Sequence, residues 1–517
     1  MTGFRLTTLL AVSASALTLA ACGSAEVASP GEGVFPPGGG GNGGGGVVTP
    51  PPGTPATDCP SAVFSNIGLT PDGTLRICQL PQQINGNLTL PLRAGTLYSI
   101  NGRTAVGTDQ GVDPANPIAG SVQGVLTIEA GVRIMAEAGA TYLLVNRGSQ
   151  LYAEGTAANP IVFTSRPNVE GQTTLNSEGQ WGGVVLAGRA PQSSCQLTAP
   201  VTCGRVVEGT NAGYGGNVPS DNSGRLRYVQ IKYSGFVVGN NNELQGLTLG
   251  GVGSGTVIDH IQVYNSSDDG IEIFGGNVNL RHIVINGADD DGLDTDEGWR
   301  GGAQFGIVTQ RPAGTNSRSA GFEFSSAPGS EPLATKYVSR PFISNWTLVG
   351  RPATNANHTV AHFDTGNDAT VINSVFTNPA ASVSGCLDVA DADTLTSMTT
   401  LAPGQTGANF RSVFMSCGIS YRPGASAANS TTVFTAGTNN TATGTSTVAA
   451  PATGTTLTNQ LLTFINGANE NAATNVVTDA PAVYSFFTPV TYIGAVQNAS
   501  DTWWQGWTCG LTADRPC

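Results

Sequence analysis

Two stretches, SSDDGIEIFGG (266–276) and GADDDGLDTDEG (287–298), concentrate acid in a chain of 517 residues of which only 11% are charged. They supply Asp268, Asp269, Glu272, Asp290, Asp291, Asp294 and Asp296 as oxygen donors. A first chemistry open to such a set is cation binding, because Ca²⁺ takes six to eight oxygens at about 2.3–2.6 Å. Ca²⁺ is the only cofactor the sequence implies, although no EF-hand or nonapeptide repeat is present. A second is glycan cleavage: carboxylates about 5 Å apart suit a retaining glycosidase and wider pairs an inverting one, with Asp294 and Glu272 as the pair. A lyase would instead need a base beside Ca²⁺, for which Lys232, Arg227, Arg281 and Arg300 are available outside any recognised motif. The third is structural: corner aspartates bond their own backbone amides while Gly270 and Gly292 supply positive φ.

Spacing decides which acids meet. IDHIQVYNSSDDGIEIFGG (258–276) lies over LRHIVINGADDDGLDTDEG (280–298) without a gap at an offset of 22, aligning His260 with His282 and Asp269 with Asp291. A period of that size signals a solenoid. Within it, Ile258, Ile261 and Val263, then Ile271 and Ile273, alternate with polar residues as strands do, and Asn, Ser, Asp and Gly mark corners. The cadence recurs at 226–235, 246–251, 321–326 and 343–351, and upstream over 124–165. The expected fold is therefore all-β, a right-handed parallel β-helix. The residue between two inward neighbours faces out, which places Glu272, Asp294 and Glu323 on successive rungs about 4.8 Å apart, with Thr248 before and His362 after. Carboxylates that close need a cation, a raised pKa or water. His260 and His282 should stack on one outer face. His358 and His362, four apart on a strand, would lie about 13 Å from each other, which argues against a shared zinc.

The run TIEAGVRIMAEAG, LYAEGTAANPIVFTS and WGGVVLAGRAP resembles the opening coils of secreted and lipid-anchored β-helix proteins of Gram-negative bacteria, a functionally uncharacterised group related in shape to pectate lyases. DDGIEIFGG, DDDGLDTDEGWRGGAQF and the tail motifs VTYIGAV and DTWWQGWT resemble that group as well. The resemblance implies the fold, but the fold hosts lyases, hydrolases, adhesins and inert stalks. Some of these proteins occur with TonB-dependent receptors, which implies by resemblance alone an accessory role in nutrient uptake.

The opening MTGFRLTTLLAVSASALTLAAC reads as a signal peptide over 1–21, with a lipobox that leaves Cys22 as the lipidated N-terminus. Gly23 rather than aspartate after that cysteine points to the outer membrane. Residues 22–57, rich in Gly and Pro, form a flexible tether, and 58–517 form the β-helix domain. The remaining cysteines, Cys59, Cys78, Cys195, Cys203, Cys386, Cys417, Cys509 and Cys517, are even in number in an exported chain, and pairing of sequence neighbours is the simplest disulfide scheme. A net charge of −13 excludes nucleic acid as a partner. After Val360 the pattern loosens towards irregular last coils, with LTNQLLTFINGANE (457–470) as a helix candidate and Trp503, Trp504 and Trp507 packed on the last coil. The resulting expectation is an outer-membrane lipoprotein whose β-helix binds an extracellular glycan or cation. The rivals are a glycan-cleaving enzyme and a passive adhesive or structural surface protein.

Overall fold

Strands whose inward positions are aliphatic can bury one face on a shared core only by stacking, coil upon coil. The computed structural model describes residues 53–194, 203–239, 242–312, 314, 318–326, 333, 337–352, 357–378, 382–400, 407–451, 462–472, 477–512 and 514–517. The expected signal peptide, Cys22 and nearly all of the expected tether lie outside them. The described chain winds into two long sheets of 15 and 11 strands, parallel apart from the antiparallel opening pair Ser65–Leu69 and Arg76–Gln79. From Val257 onward each coil gives one strand to each sheet: Val257–Tyr264 then Ile271–Phe274, Asn279–Asn286 then Leu293–Asp296, Gly302–Thr309 then Phe322–Phe324. This is a right-handed parallel β-helix.

The expected register holds, with Ile258 opposite Leu280 and Ile271 opposite Leu293, both 22 residues apart. Other coils carry inserts, so Arg225 pairs with Val257 and Gly302 with Phe342. From Gly224–Lys232 onward the strands of the first sheet bend at one left-handed residue each: Tyr228, His260, His282, Phe305, Asn345, Asn373 and Ser412 have φ between 50° and 63°. Pairing skips that residue, and apolar residues on both sides of the bend, such as Ile258 and Ile261, enter the same core. One strand thereby covers two sides of a coil. The core runs the length of the helix and is plugged by Trp181, Trp299, Trp346, Phe322, Phe324 and Phe363, each fully buried side chain contributing about 1.5–3 kcal/mol or more.

Three expectations about the C-terminal third are corrected. The coils stay regular as far as Tyr421, with strands Thr359–Phe363, Thr370–Thr377, Gly385–Val389, Phe410–Ser416 and Ile419–Tyr421, and the expected loosening is confined to 422–480, whose described residues hold no strand. The outward positions of those strands include apolar Ile372, Val375 and Phe414, which pack against the C-terminal segment and hide the alternation. The candidate helix is not seen over 462–467, and only Ala468–Ala472 is helical; its residues 457–461 lie outside the described ones. Helices form instead over Ala392–Thr399, where Asp391 caps the Thr394 amide, and over Ala427–Thr435. The tryptophans do not sit on the last coil. The C-terminal segment runs along the outer face of the first sheet, held by outward amides: Gln304 on Thr488, Asn345 on Tyr492 and Gly494, Gln262 on Cys509 and Gln230 on Trp507. Trp503 and Trp507 cover the stacked rings of Tyr228, His260 and His282 in mid-helix. Disulfides Cys59–Cys78, Cys386–Cys417 and Cys509–Cys517 join sequence neighbours as expected; the remaining expected pair includes Cys195, which lies outside the described residues.

Candidate functional site: an acidic cleft on the second sheet

The outward residues of the second sheet form one ladder, Thr248, Glu272, Asp294, Glu323, His362 and Asp388, each opposite the next in register. Facing out does not mean exposed here: Glu272 and His362 retain only 4% and 3% of their surface. Upstream, the same outer face is apolar, with Leu144 and Val185 beneath Val207, Tyr214 and Leu244 from two hairpins, Arg205–Val206/Gly213–Tyr214 and Phe236–Gly239/Asn242–Leu244. Those inserts wall one end of a cleft of about 610 Å³, and the DDG corners wall one side. Every acid that the sequence singles out for a cation, Asp268, Asp269, Glu272, Asp290, Asp291, Asp294 and Asp296, lines it. The inserts add Glu208, Glu243 and Gln245, which sequence reasoning missed. No local motif marks them, because the fold brings them to the corners from outside the 22-residue repeat.

Two triads are close enough to share one ion. Oxygens of Asp269, Glu272 and Asp294 lie within 4.8 Å of one another, as do those of Asp268, Asp269 and Asp290. No lysine or arginine is among the described residues lining the cleft. Burial, reinforced by neighbouring carboxylates, holds Asp269, Glu272, Asp291, Asp294 and Asp296 well above the usual carboxylate range. Burial with Asp290 alongside pushes Asp268 up to about 8, and burial with the Glu208 hydrogen bond pushes Glu243 up to about 7. Buried Gln245 donates to Glu272 at 2.5 Å, while its Oε1, Asp294 Oδ1 and Asp296 Oδ1 find no hydrogen-bond partner among the described residues. Unsatisfied buried oxygens cost free energy, and a cation satisfies oxygens and charge together.

Part of the cluster does serve the corners, though differently from the expectation. Asp269 accepts from the Asp291 amide at 3.0 Å and Asp291 from the Ala320 amide, so each acid bonds the next coil rather than its own turn. Gly270 and Gly292 are not among the residues with positive φ. They are glycines for space, since a Cβ would lie 2.3 Å from Ile285 Cγ2 or 2.5 Å from Val308 Cγ1, within the core. Asp289 is set apart by Arg311 and Arg351 at 3.6 and 3.9 Å. The four basic residues considered for a lyase do not line the cleft: Lys232 donates to the Cys517 carbonyl, Arg281 lies over Phe486 and Arg300 over Tyr337, and Arg227 lies on the first sheet opposite Asp259. Arg318, which sequence reasoning passed over, reaches Glu323 from the rim.

His260 and His282 stack at 4.2 Å, as expected, and Asp259 sits 2.9 Å from the Nδ1 of both. His358 and His362 do not share a site: His358 Nδ1 meets Ser319 Oγ, whereas His362 Nδ1 meets Asp388.

No curated protein and no solved structure matches the chain. A family model does: residues 117–508 match the pectate-lyase-like β-helix domain, a fold found in glycan-cleaving enzymes. That span includes every strand that lines the cleft, and the chain belongs to the pectate-lyase-like β-helix family.

Proposed function

We propose that this protein is an outer-membrane lipoprotein, anchored through Cys22, that displays a β-helix whose acidic cleft binds Ca²⁺ and, through it, an acidic extracellular glycan. The observation that carries the reading is the triad Asp269, Glu272 and Asp294, with oxygens within 4.8 Å and no lysine or arginine in the cleft lining. A hard divalent cation matches an all-carboxylate donor set, with water or ligand oxygens completing its six to eight positions. An acidic glycan matches because a cation bound by several carboxylates keeps open positions for uronate oxygens, while the bare cleft would repel them. Delivery to a TonB-dependent receptor in nutrient uptake fits such a role and rests on resemblance. Calorimetric titration of Ca²⁺ into chelator-treated protein, with Asp290→Asn and Asp294→Asn alongside, tests the reading. Binding that both substitutions weaken supports it; absence of heat together with an unchanged melting temperature refutes it.

A second reading is glycan cleavage by Asp294 with Glu272. It draws on their adjacent rungs, whose oxygens approach within the spacing of a retaining pair. Release of reducing ends from a polysaccharide panel, lost in Asp294→Asn, separates it from binding alone.

A further inference from the structure

At the far end of the ladder the chemistry changes from all-oxygen to mixed donors. His362, at 3% exposure, turns Nε2 towards Asp364 Oδ2 at 3.4 Å and Glu323 Oε1 at 3.9 Å. One ligand atom from each of these three residues lies within 4.8 Å of the others. A separation of 3.4 Å is long for a hydrogen bond. It equals the spacing of two donors on one tetrahedral metal, since bonds of about 2.0–2.1 Å at the tetrahedral angle put N and O about 3.4 Å apart. The other ring nitrogen is already committed: Nδ1 lies 2.9 Å from Asp388 Oδ2, itself fully buried and held by Arg422 at 2.8 Å. A metal-bound histidine usually donates its second N–H to such a carboxylate, which orients the ring and leaves the Nε2 lone pair for the metal.

We propose that His362 Nε2, Glu323 and Asp364 form a second metal site, selective for a divalent transition metal of the Zn²⁺ class, with Asp388 as the orienting partner and one coordination position open to solvent. The imidazole donor separates it from the all-oxygen chemistry of the cleft, and it does not depend on that reading. Arg318 competes for it. Its guanidinium contacts the same Glu323 oxygen but is 44% exposed, so it can swing away when a metal arrives.

The test is calorimetry and elemental analysis of the untagged, chelator-treated protein with Zn²⁺ as the probe, in excess Ca²⁺ so that the cleft is occupied. One Zn²⁺ per chain is expected, lost in His362→Gln and in Asp364→Asn, and weakened 10- to 100-fold in Asp388→Asn. Arg318→Gln should bind more tightly than the parent, and Asp290→Asn should bind as the parent does. Co²⁺ in place of Zn²⁺ should give visible d–d absorption that His362→Gln abolishes. Asp364→Asn, at a partly exposed turn, serves if His362→Gln does not fold. Absence of Zn²⁺ uptake overturns the proposal. So does uptake that survives both ligand substitutions, or uptake lost in Asp290→Asn alone, which would place the ion in the acidic cleft and leave the cation reading standing.

Discussion

Replacing Asp294 by asparagine should stabilise the cation-free protein and weaken the cation-loaded one. Asp294 shares its 4.8 Å cluster with Asp269 and Glu272. Two unit charges at that distance repel by about 3.5 kcal/mol at an effective dielectric constant of about 20, so full ionisation of the triad would load roughly twice that onto Asp294. A carboxyl group escapes repulsion by taking up a proton, which at pH 7 costs about 4 kcal/mol for an ordinary aspartate. That sets the ceiling. An isosteric amide removes the charge at constant volume, so Asp294→Asn should gain about 2–4 kcal/mol at pH 7 in chelator, read from urea unfolding midpoints. At pH 4 the acids are protonated and the gain should vanish. Ca²⁺ at a thousandfold excess over Kd should cancel or reverse that order, because the parent gains RT ln(1 + [Ca²⁺]/Kd), about 4.1 kcal/mol, and the variant has lost a ligand. Should Asp294→Asn destabilise the chelated protein at pH 7, the carboxylate is held by favourable bonds and the argument from repulsion fails.

The same physics sets a pH dependence. Carboxyl groups such as Asp268, raised to about 8, bind protons in the folded state that the unfolded chain has released; cation-free stability should therefore be greatest near pH 4 and fall as pH rises to 8. Urea midpoints across that window should show the slope, and Ca²⁺ should flatten it. Gly270→Ala forces a Cβ to 2.3 Å from Ile285 and should cost about 1–3 kcal/mol by overpacking, with Ile285→Ala relieving part of that clash. Gln262→Ala removes both bonds to Cys509, at 2.7 and 2.9 Å, and should cost about 1–3 kcal/mol. Limited proteolysis should then cut the C-terminal segment sooner than in the parent.

Much of the fold was legible because a β-helix is locally periodic. Inward and outward positions alternate along one strand, and the uninterrupted 22-residue offset between 258–276 and 280–298 carried register directly. It was therefore possible to place Thr248, Glu272, Asp294, Glu323 and His362 on one ladder from spacing alone. The signal weakened where coils carry inserts, as between Gly302 and Phe342, and after Val360, where Ile372, Val375 and Phe414 face outward against the C-terminal segment. Gly270 shows a subtler limit: its glycine was apparent, but its reason, a neighbouring coil's isoleucine, was not.

The coil, its facing rule and which carboxylates stand on successive rungs follow from the order of the residues, because all three depend on period-two geometry and a constant spacing between strands. Only the tertiary structure decided that those outward acids are enclosed rather than solvated. Enclosure comes from hairpins and corners distant in sequence, which bring Glu208, Glu243 and Gln245 over the ladder. It also decided that Trp503 and Trp507 cover the middle of the first sheet, since docking a terminal segment depends on a surface assembled from many coils at once. Alternation is written along the chain; desolvation is a property of what the rest of the chain places on top.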